Sequence, residues 1–311
     1  MDGFVLRPGR VKGSAMTNKV ASGRLRNYAA AFCVVTAIAA PVVSLAQRGG
    51  ALEDGLELVD PNVLRVCADP NNMPFSNAKG EGFENKLADL FAEKLGKRVT
   101  DTFFPQATGF VRMTLGSHRC DVIMGYPQGD EMVQNTNPYY QTAYALVTKR
   151  GDPLDDVKTL ADPRLQGRRL GVVAGTPPAT YLVADGLMAN AKPYPLVVDT
   201  RVTSSGDAMI NDLASGEIDA GVLWGPIAGY RASRANVPMH VQLLLKDTGG
   251  PRMVYRITMG VRPSDQNWKR QLNTLIAQNH EAIDKVLMDF GVPLLDANDQ
   301  AITGDAATPK Q

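Results

Sequence analysis

Residues 64–75 read LRVCADPNNMPF, and no other segment of the chain indicates the fold as clearly. It begins with a short, mostly apolar run typical of a buried strand, which ends in a loop rich in proline and asparagine. Residues 82–90, GFENKLADL, follow with apolar side chains at helical spacing, and residues 120–125, CDVIMG, are a second apolar run that ends at a glycine. Strand, helix and strand in this order predict an open α/β sheet with a cleft beyond its strand ends.

A second series of the same kind occupies the middle of the chain. Residues 170–176, LGVVAGT, and residues 220–224, AGVLW, have the composition of buried strands. The chain then makes a further strand over residues 255–261 and a helix that opens at Ser264. Composition alone allows two sequential domains.

The first third, completed by Asn137-Pro138-Tyr139-Tyr140, resembles the type II periplasmic solute-binding proteins. More narrowly it resembles the MxaJ/XoxJ-like branch, which is associated with quinoprotein alcohol dehydrogenases. The resemblance extends from Leu64 to Leu295. It implies an α/β, bilobal type II periplasmic-binding-protein fold, with two open α/β lobes joined by a double-strand hinge that permits closure on a ligand. It also implies that the chain crosses twice, so that lobe 1 comprises residues 62–145 plus 252–296 and lobe 2 comprises residues 148–248.

The first 46 residues are typical of an export signal. Arg24 and Arg26 precede an apolar run over residues 28–40, and residues 44–46, SLA, provide a small-x-small cleavage pattern. A run of about 13 apolar residues is too short to span a bilayer, which needs about 20. We therefore predict a signal peptide over residues 1–46, a periplasmic protein without membrane insertion after its removal, and a flexible polar tail over residues 298–311.

Removal of that segment changes the charge balance, because it carries six basic residues and one acidic residue. The remainder has 27 basic and 31 acidic residues and is mildly acidic. This balance gives no electrostatic footprint for nucleic acid. It permits docking on a basic protein without predicting it.

Two cysteines, Cys67 and Cys120, remain after processing, since Cys33 lies inside the signal. Both lie on strands that we expect to be neighbours, and the periplasm is oxidising. We predict a disulfide between them. Two buried free thiols are the alternative, because cysteines on adjacent strands pair only at a suitable register and Cα separation.

Candidate cleft residues follow the strand ends of both series. Each has a structural alternative: the prolines and asparagines of the first loop also shape a tight turn, Phe75 also suits a packing role, and Trp224 also suits the sealing of a lobe edge. Thr176 and Gly175 open a helix whose N-terminus is suited to an anion, although threonine also caps helices without a ligand. We expect Tyr140 to pack in the hinge. The candidates for contact with a ligand or partner are Asp69, Asn71, Asn72, Phe75, Tyr126, Tyr139, Gly175, Thr176 and Trp224.

The resemblance also exposes a departure from amino-acid receptors of this fold. In those receptors an arginine after the strand equivalent to residues 120–125 binds the ligand carboxylate, and an acidic residue near the position of Trp224 holds the amino group. Here residues 126–131 read YPQGDE, and Trp224 is followed by glycine. Without this arginine, the cleft lacks the main group that would bind the carboxylate of a free amino acid.

The motifs of catalysis are weak in this chain. Its histidines are far apart, and we find neither a phosphate loop nor a dinucleotide fingerprint, so we predict no catalytic residues and no cofactor. Asp130 and Glu131 alone do not define a metal site, and none is predicted.

Three function classes remain. The first, favoured by the resemblance, is a non-catalytic accessory protein whose partner is a periplasmic PQQ alcohol or methanol dehydrogenase of the lanthanide-using type. The second is a solute-binding receptor of an ABC transporter for a small polar ligand. The third is an enzyme on the same scaffold, which requires a cleft carboxylate or histidine with a perturbed pKa, and the sequence names no such group.

Overall fold

The computed structural model describes residues 57–200 and 202–302. The predicted signal peptide lies outside the described residues. Strands occupy β1 Val63–Ala68, β2 Asn71–Asn72, β3 Ser76–Asn77, β4 Arg98–Phe103, β5 Val122–Pro127, β6 Gln134–Asn135, β7 Tyr140–Lys149, β8 Leu170–Val173, β9 Lys192–Tyr194, β10 Ala220–Trp224, β11 Met239–Leu243, β12 Val254–Val261, β13 Leu294–Leu295 and β14 Ala301–Ile302. Helices occupy α1 Phe83–Leu95, α2 Phe110–Met113, α3 Pro177–Ala184, α4 Ser205–Ser215, α5 Gly225–Ala232, α6 Gln266–Gln278 and α7 His280–Asp289, with short 3₁₀ turns at Pro163–Leu165 and Met188–Asn190.

Helix α1 forms because its apolar residues recur on one face. Phe83, Leu87 and Phe91 are buried against the sheet of the first lobe. The side chain of Asn85 caps the N-terminus, where its Oδ1 accepts a hydrogen bond from the backbone of Gly82 at 3.2 Å. The helix ends at Gly96, whose φ of 65° is the left-handed conformation that glycine adopts without a steric penalty.

The main sheet has its strands in the order β4, β1, β5, β12, β7, β10, β8 and β9, with β6 paired to β12 and β11 paired to β7. Strand β1 is parallel to β4 and β5, and β8 is parallel to β9 and β10. Strands β12 and β7 lie antiparallel to their neighbours in the middle. Each parallel group is the sheet of one lobe, which confirms the predicted bilobal α/β fold.

The two lobes are joined where β7 changes partners. Residues 140–143 pair with β12, and residues 144–149 pair with β10 and β11. At the change, the backbone amide of Tyr144 donates to Met253 at 3.1 Å, and the carbonyl of Tyr144 accepts from Leu244 at 2.9 Å. The chain therefore leaves lobe 1 along β7 and returns beside it, which is the predicted double-strand hinge.

An ion network fastens the returning segment to lobe 1. Asp121, only 1 % exposed, accepts from Arg65 at 2.6 Å and from Arg262 at 2.7 Å. Arg262 also contacts the fully buried Asp265 at 2.6 Å and donates to the carbonyl of Cys120 at 2.6 Å. These residues link β1, the start of β5, the end of β12 and the start of α6.

The predicted disulfide between Cys67 and Cys120 is present in the structure. Its Cα atoms are 5.4 Å apart, and both cysteines are buried. The bridge joins Cys67, near the end of β1, to Cys120, which lies two residues before the start of β5. It packs with Phe110, Leu115 and Ile123 in a small cluster beneath α2.

The predicted tail contains a short element in the structure. Within the predicted flexible tail, residues 301–302 form β14, which pairs with β13. Ala301 and Ile302 carry no strand pattern of their own, and they pair with Leu294 and Leu295 across the turn at residues 296–300. Residues 303–311 lie outside the described part of the chain. Over residues 57–200 and 202–302, no helix is long and apolar enough to cross a membrane.

Candidate functional site

A cavity of about 550 Å³ lies between the lobes, at the carboxyl ends of β1, β5, β8 and β10. Its volume is within the range of small-molecule sites. Lobe 1 contributes the loops after β1 and β4, and lobe 2 contributes residues 196–198, 200 and 204–206 and part of α5. The cavity therefore lies at the strand ends, where the sequence predicts a cleft.

The structure brings seven of the nine predicted residues to this cavity and leaves Tyr139 and Gly175 outside its lining. The seven are Asp69, Asn71, Asn72, Phe75, Tyr126, Thr176 and Trp224.

Asp69 organises the two loops of lobe 1 that border the cavity. Its Oδ1 accepts from the backbone of Asn71 at 2.8 Å, and its Oδ2 accepts from the backbone of Gln106 at 2.6 Å. The side-chain amide of Asn72 donates to the side chain of Gln106 at 2.8 Å. The aspartate and asparagines thus shape the turn and line the cavity at once, which combines the two alternatives of the sequence analysis.

The two adjacent tyrosines have exchanged the roles that the sequence predicts. Tyr139 is 1 % exposed, and its hydroxyl donates to the carbonyl of Met124 at 2.6 Å, inside the core of lobe 1. Tyr140 lines the cavity. Because successive side chains of an extended chain point to opposite faces, the placement depends on strand register, which the sequence alone does not fix.

The N-terminus of α3 does not offer the anion site that the sequence suggests. Thr176 precedes Pro177 and Pro178, and prolines supply no N–H group. The Thr176 hydroxyl donates to the carbonyl of Val173 at 2.6 Å, and the amide of Ala179 is bonded to Thr176. The first two positions of the helix therefore have no N–H donor, and the Thr176 hydroxyl and the Ala179 amide are already bonded.

Trp224 belongs to an aromatic cluster at the hinge. Its ring centre lies 5.2 Å from that of Tyr144 and 5.5 Å from that of Tyr255, both with edge-on geometry. All three residues line the cavity. The tryptophan thus forms part of the cavity wall while it packs the hinge, and the two tyrosines were not predicted.

Glu84 is the main cavity residue that the sequence analysis missed. It is 7 % exposed, and no hydrogen bond to its carboxyl group is formed by any described residue. The carboxyl lies against the backbone of Gly125, where Oε1 is 2.2 Å from the position that a Cβ would take. Only glycine permits this approach. A signal existed, since Glu84 shares helical spacing with Leu87, Ala88 and Phe91 on the buried face of α1.

Burial changes the acidity of this carboxyl group. Loss of hydration, with a smaller contribution from the charge of Asp69, raises the pKa of Glu84 from 4.5 to about 8. The same burial raises the pKa of Tyr139 and Tyr140 well above the usual value of 10. Glu84 is therefore mostly protonated at neutral pH.

We expect Glu84→Gln to remove a pH-dependent destabilisation. The folded state binds the Glu84 proton more tightly than the unfolded state, so the folding free energy that Glu84 contributes is lost as pH rises from about 4.5 to about 8. Each pH unit in this window costs about 1.4 kcal/mol, so the variant should gain a few kcal/mol over the native protein at pH 8.5 and little at pH 5. Denaturant unfolding at both pH values measures this difference.

The matched control is Glu93→Gln, which makes the same change on the exposed face of the same helix. It should show no difference between the two pH values. Equal effects of Glu84→Gln at pH 5 and pH 8.5 would contradict the raised pKa.

Comparisons with known proteins agree with this architecture. The family described as bacterial extracellular solute-binding proteins, family 3, matches residues 64–287. The chain belongs to this family. It is 41 % identical to the periplasmic binding protein XoxJ from Methylobacterium extorquens AM1, with a TM-score of 0.65, over 75 % of this chain and 99 % of that one. It is 28 % identical to MxaJ from Methlophaga aminisulfidivorans MPT, with a TM-score of 0.64, over 75 % of this chain and 100 % of that one.

A curated relative gives the same result. Protein MoxJ of Methylorubrum extorquens is 29 % identical over 282 residues, which is 86 % of this chain and 93 % of the relative. These matches confirm the predicted MxaJ/XoxJ-like character within family 3.

The cavity of this family 3 member carries an arginine, but not after β5. Arg231 of α5 forms an ion pair with Asp207 at 2.7 Å, and its Nη2 donates to the carbonyl of Met73 at 3.2 Å. The second bond crosses from lobe 2 to lobe 1. Arg231 therefore links the two lobes across the cavity, with its charge already paired, and no sequence pattern predicts this role.

The described residues contain no group of three or more histidine, cysteine or acidic side chains that could hold a metal ion. Asp130 interacts with Tyr126, whose pKa burial and this carboxylate raise to about 12.

Proposed function

We propose that this protein is a non-catalytic periplasmic accessory protein that assists the assembly or activation of a PQQ-dependent methanol or alcohol dehydrogenase, most specifically one of the lanthanide-using type. The observation that carries the proposal is the likeness to XoxJ over nearly the whole of that chain. Proteins of the MxaJ/XoxJ-like branch are associated with such dehydrogenases. The curated relatives named MoxJ support the same assignment.

The surface beside the cavity supports a protein partner. Leu196 and Val197 line the cavity and are 59 % and 72 % exposed. Exposed apolar side chains in contact with a concave site are typical of interaction surfaces. Trp224 and Tyr126 add aromatic area of the kind that contributes strongly at interfaces. We propose that a segment of the dehydrogenase occupies the cleft between the lobes.

A receptor for a small polar ligand is the second candidate. The volume of the cavity favours it, because about 550 Å³ suits a small solute as well as a peptide segment. A tight small ligand at saturating concentration should raise the thermal midpoint of the protein.

One structural feature favours an enzymatic function, and the sequence analysis did not identify it. Glu84 is a cavity carboxyl group with a perturbed pKa, as a catalytic acid or base would need. A catalytic site also needs a second group in reach of the reacting atoms. Of the histidines, none is among the described residues that line the cavity, and we keep the non-catalytic function.

The deciding experiment joins purification with genetics. We expect the dehydrogenase to co-purify with the exported protein, and its activity to fall at least tenfold in a deletion strain and to return when the gene is supplied again. Full activity without the protein, no detectable complex and a nanomolar small-molecule ligand would overturn the proposal in favour of the receptor.

A further inference from the structure

The lobe 1 wall of the cavity combines acidic groups with aromatic side chains. Asp69 and Glu84 both line it, and the described lining residues of this lobe include no lysine or arginine. The one arginine or lysine among the described lining residues, Arg231, comes from lobe 2 and is paired with Asp207. A ligand on the lobe 1 side thus meets carboxyl groups without a competing cation.

Glu84 differs from Asp69 in the hydrogen bonds that its carboxyl group accepts. Both oxygens of Asp69 accept backbone hydrogen bonds, whereas the Glu84 carboxyl receives none from the described residues. Burial of a polar group without a partner costs free energy, which a ligand group placed against it would recover. The carboxyl faces the cavity, so the missing partner has room to enter.

The neighbouring side chains favour a cationic partner over a neutral one. Tyr140 interacts electrostatically with Glu84, and Phe75 lies on the same wall, with its ring 5.2 Å from that of Phe83. Aromatic faces attract ammonium groups through the ring quadrupole. A carboxylate, a second negative charge and aromatic rings together are suited to an organic cation.

We propose that Glu84, with Asp69 and the rings of Phe75 and Tyr140, forms a binding site for a primary ammonium group carried on an apolar stem. The stem lies along the aromatic wall and the ammonium group donates to the Glu84 carboxylate. The proposal goes beyond the accessory function and stands without the dehydrogenase. The same chemistry is offered by a free alkylamine and by a lysine side chain of a partner.

Binding of a cation to this site depends on pH in a defined direction. Glu84 is mostly protonated at pH 7, so the ammonium group binds with release of a proton. The groups that face Glu84 are Asp69, Tyr139 and Tyr140, with Arg231 across the cleft, and both tyrosines stay neutral up to pH 9 because their pKa values are raised. Affinity should therefore rise roughly tenfold from pH 6 to pH 7 and level off above pH 8.

The test is calorimetric titration of the exported protein with n-butylammonium chloride, with 1-butanol as the neutral probe of equal size. We expect n-butylammonium to bind at least tenfold more tightly than 1-butanol at pH 8. Comparison of two buffers with different ionisation enthalpies should show release of nearly one proton at pH 7. Glu84→Gln should abolish the preference and the proton release, and Glu93→Gln should keep both.

A second probe, N-α-acetyl-lysine amide, identifies the source of the cation. Binding at least as tight as that of n-butylammonium supports the site and assigns it to a protein side chain. Binding at least tenfold weaker supports the site and assigns it to a free amine. Equal affinities of the native protein for n-butylammonium and 1-butanol, or equal n-butylammonium affinity in Glu84→Gln, would overturn the proposal. Because these titrations contain no dehydrogenase, their results neither support nor contradict the accessory function, which is tested separately.

Discussion

Replacement of Asp121 by alanine is expected to lower the free energy of unfolding by about 3–5 kcal/mol, because it removes the buried carboxylate that pairs with Arg65 and leaves Asp265 as the remaining acidic partner of the buried Arg262. Asp121 is 1 % exposed and pairs with both Arg65 and Arg262. Arg262 is itself buried and comes from the end of β12, so its displacement loosens the return of the chain to lobe 1. For a chain of this size the thermal midpoint should fall by about 10 °C.

The matched control is Asp289→Ala, which removes an exposed partner of Lys285. Exposed pairs contribute little, so the midpoint of this variant should stay at the native value. A midpoint for Asp121→Ala within 2 °C of the control, where about 10 °C is expected, would contradict the network. A variant that fails to fold at 20 °C but folds with a stabilising osmolyte supports it.

Loss of the disulfide between Cys67 and Cys120 is expected to cost about 4 kcal/mol, because the bridge closes a loop of 53 residues in the unfolded chain. The double variant Cys67→Ala with Cys120→Ala removes the bridge without leaving a free thiol. Its denaturant midpoint should lie well below that of the oxidised protein and should not respond to reductant.

The native protein provides the control for this variant. Its midpoint should move to that of the double variant when reductant is present throughout unfolding. Thiol titration of the oxidised protein in denaturant should find no free thiol. Detection of two thiols would show that the cysteines are unpaired, and the expected difference in denaturant midpoint between the native protein and the double variant would then have no basis.

The fold of lobe 1 could be predicted because its signals are local. Residues 64–75 and 82–90 carry strand, turn and helix patterns within a few residues of each other, and the structure confirms them. The crossing of the chain between lobes came from family resemblance, since composition alone allows sequential domains. Short elements such as β13 and β14 carry no pattern of their own and form by pairing with each other across the turn at residues 296–300.

The position of the cavity could be predicted from the sequence, but only some of its lining residues could. Loops at strand ends identified Asp69 and Trp224, because topology alone places them there. The exchange between Tyr139 and Tyr140 depends on strand register, and the approach of Glu84 to Gly125 depends on packing between helix and strand. Arg231 reaches the cavity from a helix of lobe 2, and its bond to Met73 exists only in the assembled fold.

Docking of the dehydrogenase in the cleft is measured by the dissociation constant of the purified exported protein with the purified dehydrogenase. Val197→Glu places a charge on the cavity wall, and Val183→Glu makes the same change at an equally exposed position of lobe 2 outside the cavity. We predict a stable complex whose dissociation constant rises at least tenfold in Val197→Glu and is unchanged in Val183→Glu. No complex, or equal effects of the two substitutions, would contradict a docking function of the cleft.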